Sequence, residues 1–225
     1  MTTPPRNRWP TCAVSGPLAA VAVLLATMLA GCASPGALPE DHFYMLPDPH
    51  AATVLHTPLL EGTLAVTRLR AAGVRNERAM LYIEEAHPLQ ILRYHYHYWS
   101  EPPTELIRNH LVAYLREVGV ATQSVTYMPG MEADAVVRGE LLRFERELGA
   151  TGTAVHVEIE LSYMPKGRTA PLWSKAYRAQ TEARNASIDA TVAAFSIALQ
   201  QIYAEFVRDL QVRLRAAAPA PLGRR

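Results

Sequence analysis

The chain predicts a single α+β domain: a mixed, largely antiparallel sheet with two amphipathic helices packed on it. Three observations carry this. Val155, Val157, Ile159, Leu161 and Tyr163 alternate with His156, Glu158, Glu160 and Ser162, the period of a strand with one buried face. Two other segments, 103–118 and 188–210, repeat apolar residues at steps of three and four, the period of a helix with one buried stripe. The order along the chain is strands, helix, strands, helix, with no repeat of fixed period to suggest a solenoid.

A leader precedes the domain. Arg6 and Arg8 form a positive start, Leu18 to Leu29 an apolar run, and Ala30-Gly31 a small-residue cut site before Cys32. The run is roughly a dozen residues, short of the about 20 that span a bilayer, and no cationic stop follows it. Leu29-Ala30-Gly31-Cys32 therefore reads as a lipobox. Residues 1–31 are expected to be a secretory signal peptide, and Cys32 the new N-terminus that receives lipid. Arg6-Asn7-Arg8 lacks adjacent arginines, which favours the general secretory route over the twin-arginine one. One acyl chain binds a membrane with an association constant of only about 10⁴ M⁻¹. A lipobox implies a diacylglycerol plus a further acyl chain such as palmitate, which holds the protein on its membrane. Ala33, not Asp, follows the cysteine, so the expected location is the periplasmic face of the outer membrane rather than the inner membrane.

Composition agrees with an exported, thiol-free domain. Of the two cysteines, Cys12 leaves with the signal peptide and Cys32 is consumed by lipid. Stability must then come from a packed core rather than disulfides. About 190 of the 225 residues remain after cleavage, enough for one domain. The formal net charge of +1 turns slightly negative once Arg6 and Arg8 are removed, which argues against a nucleic-acid partner.

Each element has its own signal. Residues 32–41, small and proline-containing, form a tether between lipid and fold. His42 to Leu46 is a first strand stopped by Pro47 and Pro49, and Asp48 to Pro58 is loop. Thr63 to Arg70 and Ala79 to Glu84 are strands separated by a turn over Gly73 to Arg78; Leu89 to Trp99 is a long aromatic strand. Glu101 and Pro102 each precede a proline and so stay extended, which places Pro103 at the first helical position. Leu106, Ile107, Leu111, Tyr114, Leu115 and Val118 stripe that helix, and Gly119 caps it. Val120 to Tyr127, Ala135 to Glu147, the alternating segment around Val155 to Tyr163, and Leu172 to Thr181 are strands. Ser187 caps the last helix, striped by Ile188, Val192, Phe195, Leu199, Ile202, Phe206 and Leu210. The domain is expected over 42–215, with a disordered tail over 216–225.

Enzyme signatures are largely missing. The chain has no G-x-S-x-G elbow, no His followed by Glu for a zinc helix, and no Gly-Lys of a phosphate loop, so it cannot drive transport by that route. No cofactor motif is present. Tyr94-His95-Tyr96-His97-Tyr98-Trp99 is the most unusual pattern. On a regular strand His95, His97 and Trp99 share one face and the tyrosines the other. The two imidazoles either begin a metal site that lacks a third ligand, or find hydrogen bonds within a partly buried strand. His156 is expected to be solvated. Glu158 and Glu160 read as a solvated face rather than an acid–base pair. The stripe of the last helix fits a partner helix, or, more simply, the sheet of its own domain.

His42-Phe43-Tyr44-Met45-Leu46-Pro47, Tyr96-His97-Tyr98-Trp99-Ser100-Glu101-Pro102-Pro103 and Leu172-Trp173-Ser174 resemble the ABC-type transport auxiliary lipoprotein family, which includes the paraquat-inducible protein C type. The resemblance spans roughly Phe43 to Leu210, and Trp99-Ser100-Glu101-Pro102-Pro103 is its most specific part. It implies a non-catalytic outer-membrane subunit working with an MCE-domain protein and an ABC permease and ATPase to move lipids or other hydrophobic molecules. It carries no ligand, metal or catalytic residue. Trp99, Glu101, Pro102 and Pro103 are expected to be structural, fixing how the strand meets the helix, or else a partner surface. A homo-oligomer fits the role. The competing readings are a lipid-anchored periplasmic hydrolase built around His95 or His97, and an envelope protein unrelated to transport.

Overall fold

The computed structural model describes residues 39–217; the expected signal peptide over 1–31, Cys32 of the expected lipobox, most of the expected tether and residues 218–225 lie outside them. The spine of the domain is β7 (Ala135–Leu148). Along one edge it pairs antiparallel with β8 (Thr153–Pro165), and β8 pairs antiparallel with β9 (Trp173–Glu182). Along its other edge β7 takes three short strands in succession, all parallel: β2 (Leu60–Val66), β3 (Arg70–Ala71) and β4 (Ala79–Glu84). β4 forms an antiparallel hairpin with β5 (His87–Trp99), β5 carries β1 (His42–Tyr44) in parallel, and β2 carries β6 (Ala121–Thr126) in parallel. The result is one nine-stranded mixed sheet, its longest ladders antiparallel, with helices α1 (Pro103–Val118) and α2 (Ile188–Ala217) packed on it.

Helix ends follow from chemistry in the sequence. Pro102 is extended at the N-cap of α1 and its carbonyl accepts from Glu105 N and Leu106 N, while Pro103, which has no N–H to satisfy, begins the helix. Gly119 closes it at φ 73°, a conformation that favours glycine. Ser187 Oγ accepts the Ala190 N–H at 3.1 Å and so caps α2. The stripe of α2 is buried against β8 and β9 of its own domain. By length and composition Ile188–Ala216 is apolar enough to cross a membrane, but its most apolar part is mostly buried in the fold.

One inserted residue decides which side of β7 faces inward. Leu141 pairs with Ile159 and Arg143 with Glu158, leaving Leu142 as a bulge. Ahead of it Ala135, Val137 and Leu141 are buried; beyond it Phe144 packs in the core, and Glu145 and Arg146 are also buried.

Several boundaries differ from expectation. The strand expected over 63–70 is two strands, Leu60–Val66 and Arg70–Ala71, both short because each serves only a segment of β7. The turn expected over 73–78 is a 3-10 turn at Gly73–Asn76. β5 starts at His87 and includes Pro88, which falls in a register irregularity where no ladder bond is required of it. α2 continues to Ala217, past the expected boundary at 215.

Candidate functional site

Two neighbouring regions hold the residues singled out by the sequence. The first is the junction of β5 and α1. Trp99 is 1% exposed, its ring 5.2 Å from Phe144 and 5.4 Å, edge-on, from Phe195 of α2. Its backbone is equally tied: Trp99 N donates to Arg78 O at 2.7 Å, and Arg78 Nε donates back to Trp99 O at 3.0 Å. Ser100 N donates to Tyr44 O of β1. Glu101 is exposed and accepts from Asn109 Nδ2 at 3.0 Å, one face of α1 along. Behind it, buried Thr104 accepts from Arg68 Nε and donates to Asn76 Oδ1, while Arg68 pairs with Glu105 at 3.2 Å. Trp99, Pro102 and Pro103 thus sit where β1, β4, β5, α1 and α2 meet. Glu101 alone of the four presents its side chain to solvent.

The second region is the aromatic edge of β5. Ala79 pairs with Tyr98, yet Leu81 pairs with Arg93, so Tyr94 to His97 bulge out of the ladder. This overturns the simple alternation. Tyr94 and His97, three apart, meet edge-on at 5.4 Å, and His97 also stacks on His42 at 5.4 Å. His97 Nδ1 bonds Tyr44 Oη at 2.9 Å. His95 is exposed, its carbonyl accepting from the Tyr98 hydroxyl. The two imidazoles share no partner, neither is bonded to a carboxylate, and no group of three metal-binding residues occurs among the described residues. Burial, with His42 and Arg146 nearby, pushes the His97 pKa below its ordinary value.

Under this edge lies a group the sequence did not reveal. Arg146 is 4% exposed, with Nη1 donating to Tyr94 Oη at 2.8 Å and Nη2 to Ala186 O at 2.6 Å, just ahead of α2. It ties the bulge of β5 to the start of the helix. Burial raises the Tyr94 pKa, partly opposed by this guanidinium. The signal for it was the Leu141-Leu142 doublet, which breaks the alternation and turns the next positions over. A buried histidine was also missed. His110 on α1 bonds Pro47 O through Nε2 at 3.1 Å and Tyr203 Oη through Nδ1 at 3.4 Å, and burial lowers its pKa to about 4.

The polar side of the sheet is more ordered than expected. His156 is partly buried and paired with Glu147 rather than solvated. Glu158 pairs with Arg178 at 2.9 Å, and Glu160 accepts from Ser174 Oγ at 2.6 Å. A cleft of about 590 Å³, open and mostly polar, is lined by Glu85, Glu147, Glu182 and Arg184 among others.

The fold has solved counterparts. A DUF330 protein from Xanthomonas campestris shares 18% identity at TM-score 0.65, over 79% of this chain and 99% of that one. An uncharacterized protein shares 16% at TM-score 0.59, over 76% and 99%. A more remote likeness, at TM-score 0.46 and 12% identity over 71% and 94%, is the PelC dodecamer from Paraburkholderia phytofirmans. No curated protein matches the chain. The model of the ABC-type transport auxiliary lipoprotein component matches residues 44–207, from β1 through most of α2, and the chain belongs to that family.

Proposed function

We propose that this protein is the non-catalytic, lipid-anchored subunit of an ABC/MCE-type intermembrane transport system for lipids or other hydrophobic molecules. It sits on the periplasmic face of the outer membrane, held by lipid on Cys32, and docks an MCE-domain protein whose ABC permease and ATPase supply energy. The observation that carries this reading is the family match over 44–207, joined to the lipobox at Leu29–Cys32. The geometry supports docking over chemistry. His95 and His97 do not converge with each other or with a carboxylate, and the cleft beside Glu85, Glu147 and Glu182 is open and mostly polar, unsuited to enclosing an apolar cargo within one copy. Self-association belongs to the same proposal: β6 and β9 each keep one edge without a strand partner among the described residues.

Affinity capture of the tagged chain from native membranes tests it. An MCE-domain protein and its permease and ATPase are expected in the captured set, and the chain is expected in the outer-membrane fraction of a density gradient. Cys32→Ser is expected to release it to the periplasm. Repeated capture without any MCE protein overturns the transport reading.

A further inference from the structure

Phe43 and Met45 are large, apolar and 57% and 72% exposed, on and just after the strand that opens the domain. Tyr98 lies against Phe43 with ring centroids 5.8 Å apart, and the Arg78 guanidinium sits 5.1 Å over the Phe43 ring. Tyr96, 43% exposed, is two residues ahead of Tyr98. Of the other exposed large apolar side chains among the described residues, Val54, Leu89 and Met128 lie in separate segments, and Ile197 and Val212 are well apart along α2.

We propose that this β1 edge rests on the lipid surface that holds the anchor, with Phe43 and Met45 in the interfacial layer. The inference depends on the reading of Cys32 as the lipidation site. Chain length argues for it. From Cys32 to His42 the chain reaches at most about 35 Å when extended, and on the order of 17 Å as a flexible coil. β1 is the first element of the described fold along the chain from the anchor. Chemistry argues for it as well. Phenylalanine and methionine flanked by tyrosine and arginine match the boundary between acyl chains and headgroups, where apolar bodies sink and polar tips stay wet. Glu40 and Asp41 are exposed between the anchor and β1, so the attraction is apolar and not electrostatic. A weak contact suffices, because the anchor makes it intramolecular.

Trp99 and Trp173 are buried, and Trp9 lies in the signal peptide, so an introduced indole adds emission that reports its own surroundings. The mature lipidated chain, with Cys32 modification read by mass spectrometry, is placed in phosphatidylcholine vesicles with and without brominated acyl chains. Bromine is expected to quench the emission added by Phe43→Trp at least about twofold more than that added by Leu89→Trp, a 99% exposed control at the far end of β5. Met45→Trp repeats the test where no aromatic packing is lost. Equal quenching at the two ends of β5, with Cys32 lipidated, overturns the inference and leaves the anchor standing. Blue-shifted emission without bromine quenching assigns the face to a second copy of the chain and overturns it too. An unmodified Cys32 removes the anchor reading and this inference together.

Discussion

The two faces of β8 are built from the same thirteen residues and do opposite work. On one, Val155, Val157, Ile159, Leu161 and Tyr163 are almost wholly buried beneath α2. On the other, His156, Glu158 and Glu160 are laced to Glu147, Arg178 and Ser174 across neighbouring strands. The covered face gains the hydrophobic and packing free energy that holds the domain together without disulfides. The open face gains less, because ion pairs with one partner in water, such as Arg178 with Glu158, exchange water contacts for protein contacts at nearly even cost. Its order sets strand register and discourages unwanted sheet association rather than adding stability.

The largest expected effect is on the covered side. Phe195 is fully buried, 4.3 Å from Phe144 and 5.4 Å from Trp99 by ring centroids. Phe195→Ala is expected to cost about 3–5 kcal/mol in urea unfolding, enough to unfold a marginal domain. A loss under about 1 kcal/mol would mean that α2 does not carry the core.

His110 sharpens the contrast from within the interior. Its folded pKa is about 4, below the ordinary 6.5. The unfolded chain therefore takes up a proton that the folded chain refuses. The stability is fully present above pH 6.5 and is lost as the pH falls from 6.5 to 4, by about 3 kcal/mol at most. Between pH 7 and pH 4.5, His110→Asn is expected to lose less stability than the parent chain, because that proton uptake is removed. Equal acid losses in the two proteins would break the assignment.

The smallest effect belongs to the open face. Arg178 is largely exposed and pairs with Glu158. Arg178→Ala is expected to change stability by less than about 1 kcal/mol and to lose even that in high salt. A larger, salt-insensitive loss would show that the ladder does contribute to the fold.

The elements whose logic is local were legible in advance. α1 and α2 were readable because proline, serine and glycine mark their ends and their stripes repeat every three or four residues. β8 was readable because its alternation is unbroken from Thr153 to Tyr163. What escaped was of two kinds. Parallel pairings such as β2 on β7, or β1 on β5, join segments far apart in the chain, and neighbouring residues carry no record of them. The bulges at Leu142 and at Tyr94–His97 shift the period by an insertion. Downstream, the alternation rule then assigns residues to the wrong side, which is why the expected shared face of His95 and His97 failed. Of the residues singled out for function, Trp99, Pro102 and Pro103 are drawn into the junction, whereas Cys32 lies outside the described residues.

The amino-acid sequence by itself determined the α+β class, the starts of both helices and the apolar face of β8, because each depends on residues within one or two turns of chain. Only the tertiary structure decided that β7 is the spine, that Arg146 is buried and ties β5 to α2, that His110 is held neutral, and that Phe43 and Met45 are left uncovered. Those outcomes depend on which distant strand occupies each edge and on what remains to cover a given side chain. They are properties of the packed whole, settled by where buried area and hydrogen bonds are satisfied together.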